Sequence, residues 1–249
     1  IRDRNVSPDC HMQNDAVETY DLHHAMYGGN LFQFTCPDNT FKAINGAFSP
    51  LNDAHYYATQ VYEMFKNWYE FILLNRRLRI NVHVGQQFSN AYWDGQQIYL
   101  GDGGVSYYPF TNIDTIAHEF SHGITEKSSR LMYKGPSGAI NESFSDMAGE
   151  TANFYWNQKQ GKENLWLIAW ATTKGPMTKA MRYFSDPTQD GHSIGHVKNY
   201  YSGINVHYAS GIFNKAFYLL AIREQWGIRK AFQTFLLANL IYWQPNSDF

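Results

Sequence analysis

The stretch Ile113-Asp114-Thr115-Ile116-Ala117-His118-Glu119-Phe120-Ser121-His122-Gly123-Ile124 decides how the rest of the chain is read. Ile113, Ile116, Ala117, Phe120 and Ile124 recur at three and four residues, the spacing of one apolar helical face. On such a helix His118 and His122 lie on one side, so both imidazoles can reach a single cation. Glu119 sits about 100° further round, where it can hold a water beside that cation without taking a ligand position. Zinc needs a third protein ligand and keeps a fourth position open for catalysis. Glu142, in Glu142-Ser143-Phe144-Ser145-Asp146 on the next predicted helix, supplies it. Asp146, one turn on, can accept the other N–H of a ligand histidine and fix its tautomer. Two surface histidines on a solvated helix are the competing reading, and the downstream carboxylates weigh against it.

Working outward, helices are predicted over about 112–127, 137–158, 206–225 and 228–242. A Gly-, Pro-, Asp- and Ser-rich loop covers about 172–203. Upstream, Ala54, Tyr57, Ala58, Val61, Tyr62, Phe65, Tyr69 and Ile72 describe one long amphipathic helix, about 52–75. Leu78, Ile80, Val82 and Val84 alternate as in a strand, and Gly101-Asp102-Gly103-Gly104 reads as a loop. Residues up to about 50 are strand-like and turn-rich, broken by Gly28-Gly29-Asn30 and Pro37-Asp38-Asn39. The plan is α+β: a β-rich lobe over 1–110 and a mainly helical lobe over 111–249, with a cleft between them.

Composition removes whole classes of function. Lys and Arg number 20 against 22 Asp and Glu in 249 residues, a balance that offers no basic surface for a phosphate backbone. No apolar run approaches the ~18 residues of a membrane span. The chain opens Ile1-Arg2-Asp3-Arg4 with neither Met nor an apolar leader, which reads as a processed or trimmed product. Cys10 and Cys36 are either a reduced pair or one disulfide, and cysteine arithmetic leaves both open.

The run Ile116 to Gly123, followed by Ser137-Gly138-Ala139-Ile140-Asn141-Glu142 and Ser145-Asp146, resembles the thermolysin family of zinc endopeptidases, with the greater likeness to its pseudolysin and vibriolysin branch. Asn90-Ala91-Tyr92-Trp93-Asp94-Gly95, Arg182 ahead of Ser185-Asp186-Pro187, and Val206-His207-Tyr208-Ala209-Ser210-Gly211 follow in family order. So do Cys36-Pro37, Ile44-Asn45-Gly46-Ala47 and Ser49-Pro50-Leu51-Asn52-Asp53-Ala54-His55. The resemblance implies a two-lobed zincin fold and one zinc held by His118, His122 and Glu142. It gives Glu119 the role of general base on a metal-activated water, with Tyr133 and His207 stabilising the oxyanion. Asn90, the Ala91 backbone and Arg182 would hold the substrate, and Phe110, Ile168, Met181 and Thr115 would line its pocket. An apolar residue just after the scissile bond is the expected preference; cleavage mainly beside acidic residues would defeat it. A secreted monomer made with an inhibitory propeptide, carrying a Cys10–Cys36 disulfide and a calcium site at Asp114 and Glu150, completes what the family implies.

Three departures stand out. Asn205 occupies the place of the aspartate that accompanies the oxyanion histidine in relatives, and no Asp or Glu occurs between Asp190 and Glu224. A neutral amide orients His207 without stabilising its cation, so its pKa is expected to be lower than in relatives. The expected result is an acid-shifted optimum or weaker activity at neutral pH. Asn205→Asp should move the pH–rate profile upward, and superimposable profiles would refute this. Asn153 stands where a calcium-binding carboxylate is usual and Glu163 is displaced by extra residues, which predicts a weakened calcium site or none. Against the family the chain also reads as truncated at both ends.

Other signals are weaker. His192-Ser193-Ile194-Gly195-His196 repeats the four-residue spacing but falls in a turn. The Gly101–Gly104 cluster lacks the spacing of a phosphate cradle. His11, His23, His24, His55 and His83 read as ordinary residues. The leading function is a zinc metalloendopeptidase; the alternative is a weak or inactive relative that binds peptides in the same cleft.

Overall fold

The computed structural model describes residues 9–249 apart from Phe41, Met177 and Thr178. The chain forms two compact units, one of residues 9–116 with 171–176, the other of Ala117–Trp170 with 179–249.

The first unit begins with β1 (Asp9–His11), β2 (Val17–Asp21), β3 (Asn30–Leu31) and β4 (Gln33–Thr35). The helix α1 (Pro50–Tyr69) precedes β5 (Leu78–Val84), β6 (Ala91–Trp93) and β7 (Ile98–Gly101). Five strands form one sheet in the order β3-β2-β5-β7-β6, with β5 parallel to both neighbours. A central parallel strand is covered on both faces, and β5 accordingly buries Leu78, Ile80, Val82 and Val84 together with Asn81 and His83. Helix α1 packs on β2 and β5 through a face that includes Ala54, Ala58, Val61 and Phe65, all buried. Beside the sheet, β1 and β4 form an antiparallel ribbon that the Cys10–Cys36 disulfide closes, with Cα atoms 5.3 Å apart.

Helix α1 is shorter than its periodicity predicts. Glu70 adopts a left-handed conformation (φ 52°) and its N–H caps Phe65 O, so the chain turns away while Ile72 is left half exposed. No glycine or proline marks that stop, and apolar spacing alone ran through it.

His55 on α1 is buried and held in its neutral form. Asn14 Oδ1 accepts from the N–H groups of Ala16 and Val17, at 2.9 and 2.8 Å, which turns its amide Nδ2 towards His55 Nε2. Nε2 is therefore the acceptor, and Nδ1–H donates to Thr19 Oγ1 at 2.8 Å. Burial lowers the pKa to about 4 from its usual value near 6.5. The unfolded chain thus binds a proton first, and stability is full above that usual value and drains as pH falls towards 4. We expect this residue to remove roughly 3 kcal/mol over that window. In urea unfolding, His55→Gln should flatten the pH dependence of stability below neutrality; an unchanged slope would contradict the assignment.

The second unit takes α2 (Ile113–Lys127) from Ala117 onward, then α3 (Gly135–Lys159), β8 (Leu167–Ile168), β9 (Arg182–Tyr183), α4 (Val206–Ala209), α5 (Gly211–Ala221) and α6 (Gly227–Leu237). Helix α3 is its axis. Between Ser137 and Ala152 every residue is buried, because α4, α5, α6 and β8 pack around it. Small residues permit that approach: a Cβ on Gly138 would lie 2.6 Å from Val206 Cγ1. Phe144 stacks on Phe232 of α6 at 5.5 Å between ring centroids, and Phe217 of α5 is fully buried.

The helix predicted over 206–225 is two, broken at Ser210, which ends α4 and begins α5. Gly211 allows the break, since a Cβ there would meet Ile194 O and Pro187 Cβ, each at 2.6 Å. The helix predicted to reach 242 leaves α geometry at Leu237 and finishes as a π turn, Ala238–Tyr242. Within the predicted long loop lie β9 and two 3₁₀ turns, Pro187–Asp190 and Val197–Asn199. Among the described residues no helix is long and apolar enough to cross a membrane.

Candidate metal centre

All the residues of the centre belong to the second unit. His118 and His122, one turn apart on α2, face Glu142 from α3, and among the described residues they are the one His/Cys/Asp/Glu group of three or more that could hold a metal ion; their ligand atoms lie within 4.8 Å of one another. The two Nε2 atoms are 3.1 Å apart, and Glu142 Oε2 is 3.4 Å from His118 Nε2. Each imidazole is held from behind. His118 Nδ1–H donates to Asp146 Oδ1 at 2.9 Å, and His122 Nδ1–H donates to Asn141 Oδ1 at 2.9 Å. Both Nε2 atoms thereby face the carboxylate, leaving Nε2 as the nitrogen with which each imidazole would bind a cation.

The donor set fits zinc. Two imidazole nitrogens and one carboxylate are a known catalytic combination, and Glu142 Oε2 is buried without a hydrogen-bond donor. Burial lowers the His118 pKa, but Asp146 and Glu142 outweigh it and raise it to about 10. Burial likewise works against Glu142 ionising, and His118 overcomes it, keeping the carboxylate well below its usual range. A proton shared by such groups is what a divalent ion displaces.

Asp146 is the hub behind the centre. Besides His118 it accepts from Arg182 Nε and Nη2, both at 2.6 Å, and from Asn214 Nδ2 at 2.8 Å. Burial would raise its pKa, yet the Arg182 guanidinium and His118 bring it down to about 2. Arg182, expected to hold substrate, thus has two N–H groups committed to Asp146. Asn214 is itself fixed by Ser143 Oγ, which donates to its Oδ1 at 2.5 Å. Neither Asn141 nor Asn214 carries a local signal in the sequence, because their partners come from residues 19 and 68 positions away.

Tyr133 O–H donates to Glu142 Oε1 and lies 3.4 Å from His207 Nε2, so the two expected oxyanion donors meet at the edge of the ligand set. Burial, then Glu142, raises the Tyr133 pKa. Asn205 is the N-cap of α4, accepting from His207 N and from His207 Nδ1, both at 2.9 Å. The His207 pKa is lowered, chiefly by burial. Glu119 is buried on α2.

Of the expected substrate residues, the β8–β9 pair brings together Ile168, Met181 and Arg182: Ile168 pairs with Arg182, and its carbonyl accepts from Met181 N at 3.0 Å. Asn90, Ala91, Phe110 and Thr115 lie in the first unit. Ala91 opens β6, the edge strand of the five-stranded sheet, and Asn90 just before it is exposed. Phe110 is buried, and Thr115 Oγ1 donates to Asn112 Oδ1 at 2.9 Å.

For the expected calcium residues, Asp114 Oδ1 accepts from the Asn112 amide and from Thr115 N. The Glu150 carboxylate accepts from Asn164 Nδ2 at 2.7 Å and Asn153 Nδ2 at 3.5 Å. His192 stacks on Tyr208 and His196 caps a 3₁₀ turn, as expected of a surface turn.

Comparison with known proteins places this geometry in a family. Residues 2–126 match the thermolysin metallopeptidase catalytic domain, and residues 129–249 match the thermolysin metallopeptidase alpha-helical domain. The chain is 46% identical over 248 residues to the virulence metalloprotease of Vibrio anguillarum and, over the same length, to the neutral protease of Vibrio proteolyticus. Those alignments take 98% of this chain and 40% of each relative, so the chain spans well under half the length of those relatives. Among solved structures it resembles the precursor of protealysin, a metalloproteinase from Serratia proteamaculans, with a TM-score of 0.76 and 26% identity, covering 99% of this chain and 81% of that one. The chain belongs to the thermolysin metallopeptidase family.

Proposed function

We propose that this chain is the catalytic part of a secreted zinc endopeptidase that cuts before apolar residues. The observation that carries the reading is the convergence of His118, His122 and Glu142, with both imidazoles anchored from behind. Zinc bound there would supply a Lewis acid able to make a nucleophile of water near neutral pH. Glu119 would take a proton from water as its oxygen bonds to the scissile carbonyl carbon, and would pass that proton to the amide nitrogen as the C–N bond breaks. Tyr133 and His207 donate to the oxygen on which negative charge develops. β6, the edge strand of the five-stranded sheet, is suited to an extended peptide, which would add to it as a further strand through backbone hydrogen bonds, with Asn90 alongside. Ile168 and Met181 favour an apolar side chain, and Arg182 braces a carbonyl through the part of its guanidinium not tied to Asp146.

An inhibitory propeptide belongs to this reading, the solved relative being itself a precursor. Any calcium at Glu150 is expected to bind weakly, because amide donors from Asn164 and Asn153 already engage its carboxylate.

The test is metal content and casein turnover on one sample, with and without a chelator. One zinc per chain, with turnover that chelation abolishes and zinc restores, is the expected result. Zinc without turnover would favour a peptide-binding relative, and absence of bound zinc would refute both.

A further inference from the structure

Among the described residues two carboxylate oxygens are buried without a hydrogen-bond donor. One is Glu142 Oε2; the other is Asp102 Oδ2, in the first unit. Asp102 is 4% exposed and helps line a cavity of about 360 Å³, together with His24, Asn45, Gln87, Gly104 and Lys174. Its Oδ1 is held by His83 Nδ1 at 2.7 Å. Its Oδ2 lies 3.2 Å from His24 Nδ1 without forming a hydrogen bond to it.

The backbone is bent to make this arrangement. β5 carries a bulge against β7 at His83, whose φ is 58°, and the bulge aims a buried imidazole at Asp102. His23 and His24 follow each other at φ 50° and 67°, in a turn tied to β5 by His24 N donating to His83 O at 2.8 Å. Side chains are disfavoured in that left-handed region, and runs of such residues gather where a site demands them.

We propose that His24 Nδ1 and Asp102 Oδ2 are ligands of a second divalent transition-metal ion, of the zinc class, with His83 orienting the carboxylate. Tetrahedral zinc with bonds near 2.0–2.1 Å sets neighbouring ligand atoms roughly 3.3 Å apart. The His24–Asp102 separation of 3.2 Å falls between the 3.1 and 3.4 Å of the His118 centre. His83 plays towards Asp102 the part that Asp146 plays towards His118, fixing the ligand from its other end. His24 Nδ1–H donates to Gly85 O at 3.2 Å; a cation would displace that proton and gain the carbonyl as a third donor. Lys174 Nζ, bonded to Asn45 Oδ1 at 2.5 Å and Gly104 O at 2.9 Å, adds positive charge to the same cavity. The site is therefore weaker than the first.

The test titrates zinc into the full chain and reads stoichiometry by calorimetry and metal analysis. Two ions per chain are expected, the second binding more weakly. His24→Asn, which retains a residue tolerant of left-handed φ, should weaken the second ion at least about tenfold, and Lys174→Met should tighten it. His192→Ala with His196→Ala should leave it unchanged, and a His118→Ala chain, lacking the first site, should still bind one ion. A stoichiometry of one in the wild type, or a second ion that survives His24→Asn or vanishes with His192 and His196, would overturn the proposal.

Discussion

Glu119→Gln should lower the turnover of casein by about 10²–10⁴, the span that a positioned general base contributes, while zinc content and unfolding midpoint stay close to wild type. Glutamine keeps the size of the side chain and its place on α2 but cannot take a proton. Because Glu119 is outside the converging group of His118, His122 and Glu142, metal binding has no reason to fall with it. The measurement pairs kcat/KM with metal analysis on the same preparation. Turnover within threefold of wild type would remove Glu119 from the reaction, and loss of zinc in parallel would make it a ligand instead.

The second large effect is expected at Asp146. Its carboxylate is wholly buried and receives Arg182 twice, His118 once and Asn214 once. Asp146→Ala leaves the Arg182 guanidinium in a buried site without its counter-charge, a change that typically costs 3–5 kcal/mol. It also frees the back of His118, so zinc affinity should drop by roughly 10–100-fold. Urea unfolding and chelator competition measure the two separately. A loss of stability below ~1 kcal/mol would mean that Arg182 finds other acceptors and that the carboxylate is not the keystone of the second unit.

The two proposed metal sites differ in how much of each could be read in advance. His118, Glu119 and His122 share one helix, so their relation is written in a spacing of four, and Glu142 with Asp146 repeats it on the next. A helix converts sequence distance into spatial distance directly. The hub behind them is less legible, since Asn214 and Arg182 reach Asp146 from 68 and 36 positions away. At the other site nothing local gives warning. His24, His83 and Asp102 look like three isolated polar residues until a bulge in β5 and a left-handed turn bring them together. The same limit governs the fold. Apolar period located α1, α2, α3 and α6, but not the left-handed Glu70 that stops α1 or the crowding at Gly211 that parts α4 from α5.

The Cys10–Cys36 bridge encloses β2, β3 and β4, so the chain between the two cysteines is a covalent ring. Tyr27, Gly28 and Gly29 at the tip of that ring are exposed, the kind of place where a proteolytic enzyme nicks a neighbour or itself. A single cut there would add one water to the mass yet release no fragment, because both ends stay fastened through sulfur. Such damage would go unseen on a gel until a reductant is added, and nicked chains would keep β2 paired with β5.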